Sequence, residues 1–166
     1  MREILFRAKR IDNGNWVEGD LRQDRDLKTD YISGWDYYAT EGGLEREPFE
    51  YEIEPETLCQ YTGLKDKNSK RIWENDIVSC EHKKYPYDDS VVFPLLPDPI
   101  KYKRNYAVKF INTGSNYGYI LRNKSIHFML TGNVVYNHKI EVVGNVFDDK
   151  YLLDEKEGLN EVAKRI

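Results

Sequence analysis

The sequence predicts a mainly β protein in which an N-terminal hairpin and sheet precede a meander or small barrel and a short C-terminal helix. Its 13 tyrosines and three tryptophans favour strands, because aromatic rings suit pleated, half-buried surfaces. Short apolar stretches also alternate with Gly, Asn and Pro turns, as they do in meanders and small barrels. A length of 166 residues suits one domain or two small ones.

The first element is predicted to be a β-hairpin. Residues 3–9 alternate between apolar and more polar side chains, and a period of two is typical of a strand with one apolar face. Asn13-Gly14 then suits the positive φ angles of a tight turn. Residues 16–21 are predicted to form the return strand.

A charged loop and an acidic strand are predicted next. Residues 22–30 are rich in charge and indicate a solvated loop. Residues 31–38 are aromatic, but Gly34 makes them a weak strand. After a turn at Glu41-Gly42-Gly43, apolar residues alternate with glutamates over 49–54, which predicts a strand with one fully charged face.

The second half of the chain is predicted to hold short strands around one long loop. Residues 83–100 contain four of the six prolines, and since proline donates no ladder hydrogen bond, an extended loop is expected. Asp148 or Asp149 is expected to cap a helix that runs through Leu152-Leu153. The predicted strands are residues 71–73, 77–80, 102–111, 117–122, 126–130 and 134–146.

Three blocks of residues, taken together, match one known pattern. The first joins Phe6-Arg7-Ala8 to Trp16-Val17-Glu18-Gly19-Asp20, and the third runs from Glu141 to Phe147 and ends at Leu152-Leu153. The second runs from Glu56 to Val78, and its most specific part is Gln60-Tyr61-Thr62-Gly63-Leu64-Lys65-Asp66. Their order and content resemble the YopX family of phage and prophage proteins.

The chain departs from the family pattern at two turn positions where the motif has glycine. Asn75 is a mild change, because asparagine tolerates left-handed backbone geometry better than most residues. Ser69 predicts a different turn at its position.

The resemblance implies an SH3-type small barrel in the C-terminal part, a phage-derived origin and self-association, and it implies no particular activity, because the family has no established function. We therefore predict an N-terminal β region at 1–56, a YopX-like barrel at 57–153 with the proline-rich loop at 83–100, and a tail at 154–166. The residues agree with a barrel, since a tight Glu74-Asn75-Asp76 corner leads into the β-branched Ile77-Val78.

Positive charge is concentrated in one block. The net charge is −4, yet residues 99–140 hold seven basic side chains and no acidic one. Cations and tyrosines mix there on adjacent predicted strands, and small barrels bind single-stranded nucleic acid with that combination. Tyr106 and Tyr119 can equally be core residues, and a solvated or subunit-facing surface is the simpler interpretation. The candidate nucleic-acid-binding residues are Lys101, Tyr102, Lys103, Arg104, Tyr106, Arg122 and Lys124.

Negative charge is concentrated in residues 41–56, where seven glutamates meet a single arginine. The simplest interpretation is a solvated edge strand whose charge blocks aggregation. The alternatives are docking against a basic surface of a neighbouring subunit, and an acidic mimic of DNA or modulator of a host protein. The candidate self-association residues are Glu47, Glu50, Glu52 and Glu54.

No catalytic residue, metal ligand or cofactor site is predicted. Cys80 and His82 share a strand face and could join Cys59 around zinc, but no second close pair of Cys or His recurs. A small apolar cysteine beside a surface histidine is the simpler interpretation. A Cys–His nucleophile that uses His127 or His138 lacks an orienting motif.

The leading functional hypothesis is a non-enzymatic phage accessory protein built as a homo-oligomer, and the second is a nucleic-acid-binding barrel that uses residues 101–124. An enzyme comes third, because the acidic pair Glu74 and Asp76 is expected to organise a turn. No run approaches 18 apolar residues, so no membrane span is expected. Two cysteines and an N-terminus without an apolar signal segment predict the cytoplasm of a bacterial host.

Overall fold

The computed structural model describes residues 3–26, 28–84, 98–124 and 126–154 and confirms a mainly β protein. The strands are β1 (Phe6–Lys9), β2 (Trp16–Asp24), β3 (Thr29–Thr40), β4 (Gly43–Glu52), β5 (Cys59–Lys65), β6 (Arg71–Trp73), β7 (Asp76–Lys84), β8 (Ile100–Asn112), β9 (Tyr117–Asn123), β10 (Ile126–Met129) and β11 (Glu141–Asn145). The helical segments are α1 (Gly132–Asn137) and two short 3-10 helices, Pro55–Thr57 and Lys150–Leu153.

The strands form two antiparallel sheets. The six-stranded sheet has the order β4-β3-β2-β1-β5-β6, and the five-stranded sheet has the order β10-β9-β8-β7-β11. The chain divides into two compact units, Met1–Gly63 and Leu64–Ile166. None of the helices in the described part of the chain has the length and apolarity needed to cross a bilayer.

The predicted opening hairpin is confirmed in the first unit. β1 pairs with β2 from Phe6 opposite Gly19 to Lys9 opposite Trp16. Gly14 has a φ of +70° in the connecting turn, a conformation that glycine adopts without steric cost. The core of this unit is small: Ala8, Ile32 and Ile53 are buried, with Phe6, Val17, Leu21, Phe49 and Leu58 packed around them.

The charged segment 22–30 and the aromatic segment 31–38 belong mostly to strands, so the predicted loop is wrong at both ends. β2 continues to Asp24, and β3 begins at Thr29 and runs to Thr40. The charged residues of this segment can belong to strands, because their side chains lie on the exposed face of the sheet. There they can form ion pairs and ring contacts with side chains of the neighbouring strands. The Arg22 guanidinium donates to both carboxylate oxygens of Glu50, at 2.6 and 2.8 Å, and lies 4.5 Å from the centre of the Tyr31 ring.

Gly34 does not break β3, because a cross-strand phenyl ring occupies the space that its missing side chain leaves. Gly34 pairs with Phe49 on β4, and a Cβ at this glycine would lie 2.7 Å from the Phe49 ring. An aromatic neighbour that covers a strand glycine in this way compensates for its lack of a side chain to pack.

The second unit contains the larger core, on one face of the five-stranded sheet. The buried residues of this core are Ile72, Val78, Cys80, Tyr106, Val108, Tyr119, Leu121, Leu130, Ile140 and Val142. Tyr106 and Tyr119 are therefore core residues, as one interpretation of the basic block allowed. The strand order agrees with a small-barrel topology, while the described pairings leave β10 and β11 at the two ends of the sheet. Closure into an SH3-type barrel thus stays a prediction.

The strand predicted for residues 134–146 is wrong in its first half, where α1 precedes β11. The helix begins because the Thr131 hydroxyl accepts a hydrogen bond from Val134 N at 3.3 Å, as an N-cap does. Val134 and Val135 then pack against the core from one turn of helix. Their β-branched side chains suggested a strand, but burial against the sheet outweighed that preference.

The turns that resemble the family motif have the backbone geometry expected of their glycine counterparts. Ser69 has a φ of 66° and Asn75 a φ of 64°, both in the left-handed region, so the different turn predicted at Ser69 is not observed. Asn75 also receives a hydrogen bond from Lys109 Nζ at 2.6 Å on its side-chain oxygen. Asp76 Oδ2 accepts from Trp73 N at 2.8 Å, so this acid organises the turn as expected.

The C-terminal helix is a single 3-10 turn, Lys150–Leu153. Asp149 precedes it but does not cap it, because its carboxylate accepts instead from Asn145 N at 3.1 Å. The predicted proline-rich loop is shorter at its ends, since β7 reaches Lys84 and β8 begins at Ile100. Its middle, residues 85–97, and the tail from 155 onward lie outside the described residues.

Candidate functional site

An open cleft of about 290 Å³ lies in the second unit, on the core side of β7, β8 and β10. The cleft forms at the ends of these strands, beyond the buried residues of the core, where the side chains on the core side are partly exposed to solvent. The lining residues are His82, Tyr102, Arg104, Tyr106, Ile126, Phe128 and His138.

Strand register explains why these side chains meet. His82 pairs directly with Tyr102 across β7 and β8, and Cys80 pairs with Arg104. Since alternate residues of a strand share a face, Tyr102, Arg104 and Tyr106 all point to the core side of β8. Their neighbours Lys101 and Lys103 point to the other side.

The rings in the cleft are packed in a defined arrangement. His82 and Tyr102 stack with ring centroids 5.2 Å apart and planes inclined by 20°. The Phe128 ring meets Tyr106 edge to face at 5.2 Å. The imidazole of His138 lies 5.1 Å from that of His82, between centroids. Two histidines thus share one partly buried aromatic cluster.

Hydrogen bonds fix the two imidazoles. His138 Nδ1 lies 3.0 Å from the Glu81 carbonyl oxygen. Because a carbonyl oxygen can only accept, Nδ1 carries the proton and Nε2 is the unprotonated nitrogen of neutral His138. His82 Nε2 lies 3.0 Å from the Tyr106 hydroxyl, which can donate to it.

The electrostatic environment of the cleft is positive. Burial lowers the pKa of His82, and the charges of His138 and Arg104 lower this pKa further. Burial also raises the pKa of the Tyr106 hydroxyl, an effect that Arg104 opposes. Among the described residues, the side chains that line the cleft include no carboxylate. The cleft therefore offers one guanidinium, two imidazoles, of which that of His82 has a lowered pKa, and two phenol groups.

The seven candidate nucleic-acid-binding residues divide between two faces of the sheet. Tyr102, Arg104 and Tyr106 line the cleft, as described above. Lys101, Lys103 and Arg122 lie on the opposite face, which we call the outer face. Lys124 follows β9 in the left-handed region, with a φ of 50°.

The outer face carries more cations than acids. Lys83 lies directly opposite Lys101 across the ladder, an arrangement of like charges that weakens pairing unless counter-charges are near. Lys101 Nζ approaches Glu81 to 4.0 Å. Near the edge strand β11, a hydrogen bond from Lys67 lowers the pKa of Glu141.

The four candidate self-association glutamates are also separated. Glu50 and Glu52 share one face of β4, while Glu47 lies on the other, with Phe49. Glu50 is ion-paired with Arg22. Glu54 follows the strand and is partly buried, and its backbone N–H donates to the Lys9 carbonyl oxygen at 2.9 Å.

The outer part of the β3–β4 hairpin forms an arm, residues 34–49. β2 pairs with β3 only as far as Ser33, so in the described ladders the two strands of the arm pair only with each other. The arm ends in a two-residue turn at Glu41-Gly42. Its exposed large side chains are Trp35 (48%), Tyr37 (62%), Tyr38 (44%) and Leu44 (73%).

Both cysteines lie inside the protein as free thiols. Both are buried, and burial raises the pKa of the Cys80 thiol to about 12. The Cys59 thiol donates to the Thr57 carbonyl oxygen at 3.2 Å. Within residues 3–26, 28–84, 98–124 and 126–154, no three His, Cys, Asp or Glu side chains gather as a metal site requires. His127 pairs with Arg122 on the outer face, away from Cys80.

Sequence reasoning missed the histidine pair of the cleft. The alternation of β7 indicated that His82 shares a face with Cys80, but the surface interpretation of His82 left out its burial against Tyr102 and Tyr106. His138 gave no local signal, because it follows a helix where a strand was expected. Only the fold brings it to Glu81, 57 positions away in the chain.

A family model and a solved structure resemble this chain. No curated protein matches the chain. A solved structure, "Crystal structure of protein EF1440 from Enterococcus faecalis", is similar with a TM-score of 0.53 and 19% sequence identity, over 92% of this chain and 99% of that chain. At that identity the likeness shows a shared fold alone. The family model described as "YopX protein" matches residues 5–154, which is most of the sequence. The chain therefore belongs to the YopX family.

Proposed function

We propose that the protein is a non-enzymatic accessory protein of phage or prophage origin that acts in the cytoplasm of a bacterial host as a self-associating β-rich scaffold. In this proposal the arm of one copy binds the outer face of a second copy. Membership in the YopX family supports the origin. The single observation that carries the self-association is the exposed aromatic surface of the arm.

In the described ladders, no third strand pairs with the two strands of the arm. A two-stranded ribbon without a third strand is marginally stable at best. Large exposed apolar side chains that gather in one place mark an interaction surface more often than chance exposure does. Trp35 and Tyr37 lie on the same face as Arg46, which covers Trp35 with its guanidinium 4.4 Å from the ring centre. Burial of the Trp35 and Tyr37 rings against another surface would remove their apolar area from water.

Charge complementarity points to a second copy as the partner. The arm is acidic: Asp36, Glu45 and Glu47 share one face with Tyr38, opposite the face of Trp35, Tyr37 and Arg46, and Glu41 lies in the turn. The outer face is basic, and its cations are Lys83, Lys101, Lys103 and Arg122. Opposite charges on two surfaces of one chain steer copies toward each other and set their register.

A matched pair of tyrosine variants tests the arm. Tyr37→Ala removes an exposed ring from the arm, and Tyr136→Ala removes one that is 81% exposed at the end of α1. Light scattering and sedimentation velocity should give an assembly for the wild type and for Tyr136→Ala, and a shift toward monomer for Tyr37→Ala. Circular dichroism verifies that both variants fold.

Charge reversal tests the partner surface. Glu47→Lys alone and Lys101→Glu/Lys103→Glu alone should each associate more weakly, and a mixture of the two should associate more strongly than either alone. High salt should weaken the assembly, because exposed charges are screened. A wild-type protein that stays monomeric at every concentration and salt level would overturn the proposal.

A second candidate function is nucleic-acid binding by the outer face. The observation in its favour is that Lys101, Lys103 and Arg122 share that face, where they could follow a phosphate backbone. Binding of single-stranded DNA should weaken steeply with salt, since phosphate contacts release counterions. Lys103→Gln should reduce the salt slope, whereas Lys139→Gln, outside this face, should not. Absence of binding at about 50 mM salt would eliminate this candidate.

The acidic-mimic and host-modulator alternative has less support. A mimic of DNA needs its charges on one surface, whereas Glu47 and Glu50 lie on opposite faces of β4. Arg22 also neutralises Glu50 within the same chain. A host protein as partner stays a prediction, which co-purification from the host would test.

A further inference from the structure

We propose that the cleft of the second unit binds a nucleotide, meaning a planar nucleobase joined to a phosphate, either as a free mononucleotide or as one unit of a single strand. This proposal does not depend on the arm or on the outer face, which lie elsewhere in the fold. It assigns a ligand class to His82, Tyr102, Arg104, Tyr106 and His138, which scaffolding leaves without a role.

The size of the cleft suits one ring system with one charged group. Small-ligand sites usually occupy about 300–1,000 Å³, and the cleft, at about 290 Å³, lies at the lower end of that range. The cleft is also open to solvent, so that a ligand can continue out of it. A whole strand does not fit in this volume, whereas one nucleotide of a strand does.

The aromatic rim provides a surface for a planar ring. Tyr102 and His82 already form a parallel stack, and a base can extend such a stack without a change in geometry. Phe128 and Ile126 supply apolar contact on the side of β10. Proteins that bind unpaired bases use aromatic side chains and guanidinium planes in this way.

The polar groups favour an anion. Arg104 is permanently charged and matches the oxygen geometry of a phosphate. The imidazole of His82 can gain a proton when an anion approaches, and none of the lining side chains that the structure describes is acidic. Glu81 accepts a hydrogen bond from His138 on its backbone carbonyl, and its carboxylate lies 4.0 Å from Lys101 Nζ on the outer face. The cleft is thus selective for negative charge.

Protonation should couple to binding. The charged and titratable groups that face His82 are Arg104, Tyr102 and Tyr106 from β8 and His138 from the segment after α1. The cations among them repel a proton on His82, and burial adds to this effect. A bound phosphate would reverse the repulsion, so affinity should rise as the pH falls through about 6.5, the ordinary pKa of histidine.

The test is NMR of the histidine ring signals during addition of four separate probes: adenosine monophosphate, adenosine, inorganic phosphate and a short single-stranded oligo-dA. Adenosine monophosphate is expected to shift His82 and His138 and to bind more tightly than adenosine or phosphate. Shifts with the mononucleotide identify a free nucleotide as a sufficient ligand. Shifts with oligo-dA alone identify a strand, and both results support the proposal.

A second variant provides the control. Arg104→Met should weaken binding at least about tenfold, because it removes the charge-assisted contact to phosphate. Lys150→Met removes one exposed positive charge from the second unit and should leave affinity within about twofold, since Lys150 does not line the cleft. The wild-type shifts of His82 and His138 do not depend on whether either variant folds.

Three results would overturn the proposal. The first is that no probe shifts the two histidine signals. The second is that inorganic phosphate binds as tightly as the mononucleotide, which would leave the rings without a part in recognition. The third is that Lys150→Met loses as much affinity as Arg104→Met, which would place binding outside the cleft.

Discussion

Replacement of Asp66 by alanine should destabilise the second unit strongly. The Asp66 carboxylate is 7% exposed and accepts three backbone hydrogen bonds. Oδ1 accepts from Asn68 N at 2.8 Å and from Lys70 N at 2.9 Å, which closes the turn between β5 and β6. Oδ2 accepts from Val142 N at 3.0 Å and so ties that turn to β11.

The magnitude follows from what each donor can do after the substitution. Val142 N–H is buried, so it loses its partner without access to water, at a cost of about 1–3 kcal/mol. The N–H groups of Asn68 and Lys70 are only partly buried and lose about 1 kcal/mol each. The sum for Asp66→Ala is about 3–5 kcal/mol. Asp66→Asn keeps one acceptor oxygen and should lose about half as much.

Urea unfolding measures this loss. In a background with Trp16→Phe and Trp35→Phe, fluorescence reports on Trp73, which is buried in the second unit. With an m value of about 1–3 kcal/mol/M, Asp66→Ala should lower the midpoint by about 1 M or more. Asp154→Ala removes an exposed carboxylate from the same unit and should leave the midpoint nearly unchanged. Equal midpoints for the two variants would refute the argument that Asp66 joins the turn to β11.

Three further predictions concern single side chains of the second unit. Ser69→Gly should stabilise it by about 0.5–1 kcal/mol in the same assay, because the relief of a left-handed backbone exceeds the entropic cost of glycine; a destabilised variant would contradict this. Cys80 should resist a thiol reagent at pH 8 until the protein unfolds, since burial raises the pKa of its thiol to about 12; rapid labelling of the native protein would argue against that burial. The pKa of His82 measured by NMR should lie below that of free histidine, chiefly because of burial, and should rise in His138→Gln, which removes a neighbouring positive charge. Because a lowered pKa means that the unfolded state binds more protons than the folded state, His82 should reduce the stability of the protein as the pH falls below about 6.5. If the pKa of His82 is the same in the wild type and in His138→Gln, His138 does not influence His82.

Features that depend on neighbours along the chain could be predicted from the sequence alone. The alternation of residues 3–9 and 16–21 with Asn13-Gly14 between them specified the opening hairpin. Ser69 and Asn75 were identified as turn positions; Asn75 has the positive φ expected of it, whereas the different turn predicted at Ser69 is not observed, since its φ is also positive. The pattern of the family blocks also identified the family, which the match over residues 5–154 confirms.

Local pattern failed where tertiary contacts outweighed it. The charged residues 22–30 indicated a loop, but Arg22 finds its partner in Glu50, 28 positions away, on the far side of β3. The β-branched pair Val134-Val135 indicated a strand, but the Thr131 cap and the core of the sheet favour one turn of helix. In both cases the deciding interaction involves residues that the local sequence does not contain.

The tertiary structure shows which charged and aromatic side chains lie on the same face of the sheet. The basic block is continuous in sequence, yet alternation on β8 sends Tyr102 and Arg104 into the cleft and Lys101 and Lys103 to the outer face. The sequence shows that neighbouring side chains of a strand point to opposite faces, but it does not show which of the two faces packs against the core. That depends on the packing of the buried residues of the second unit on one side of the sheet, which also brings His138 beside His82.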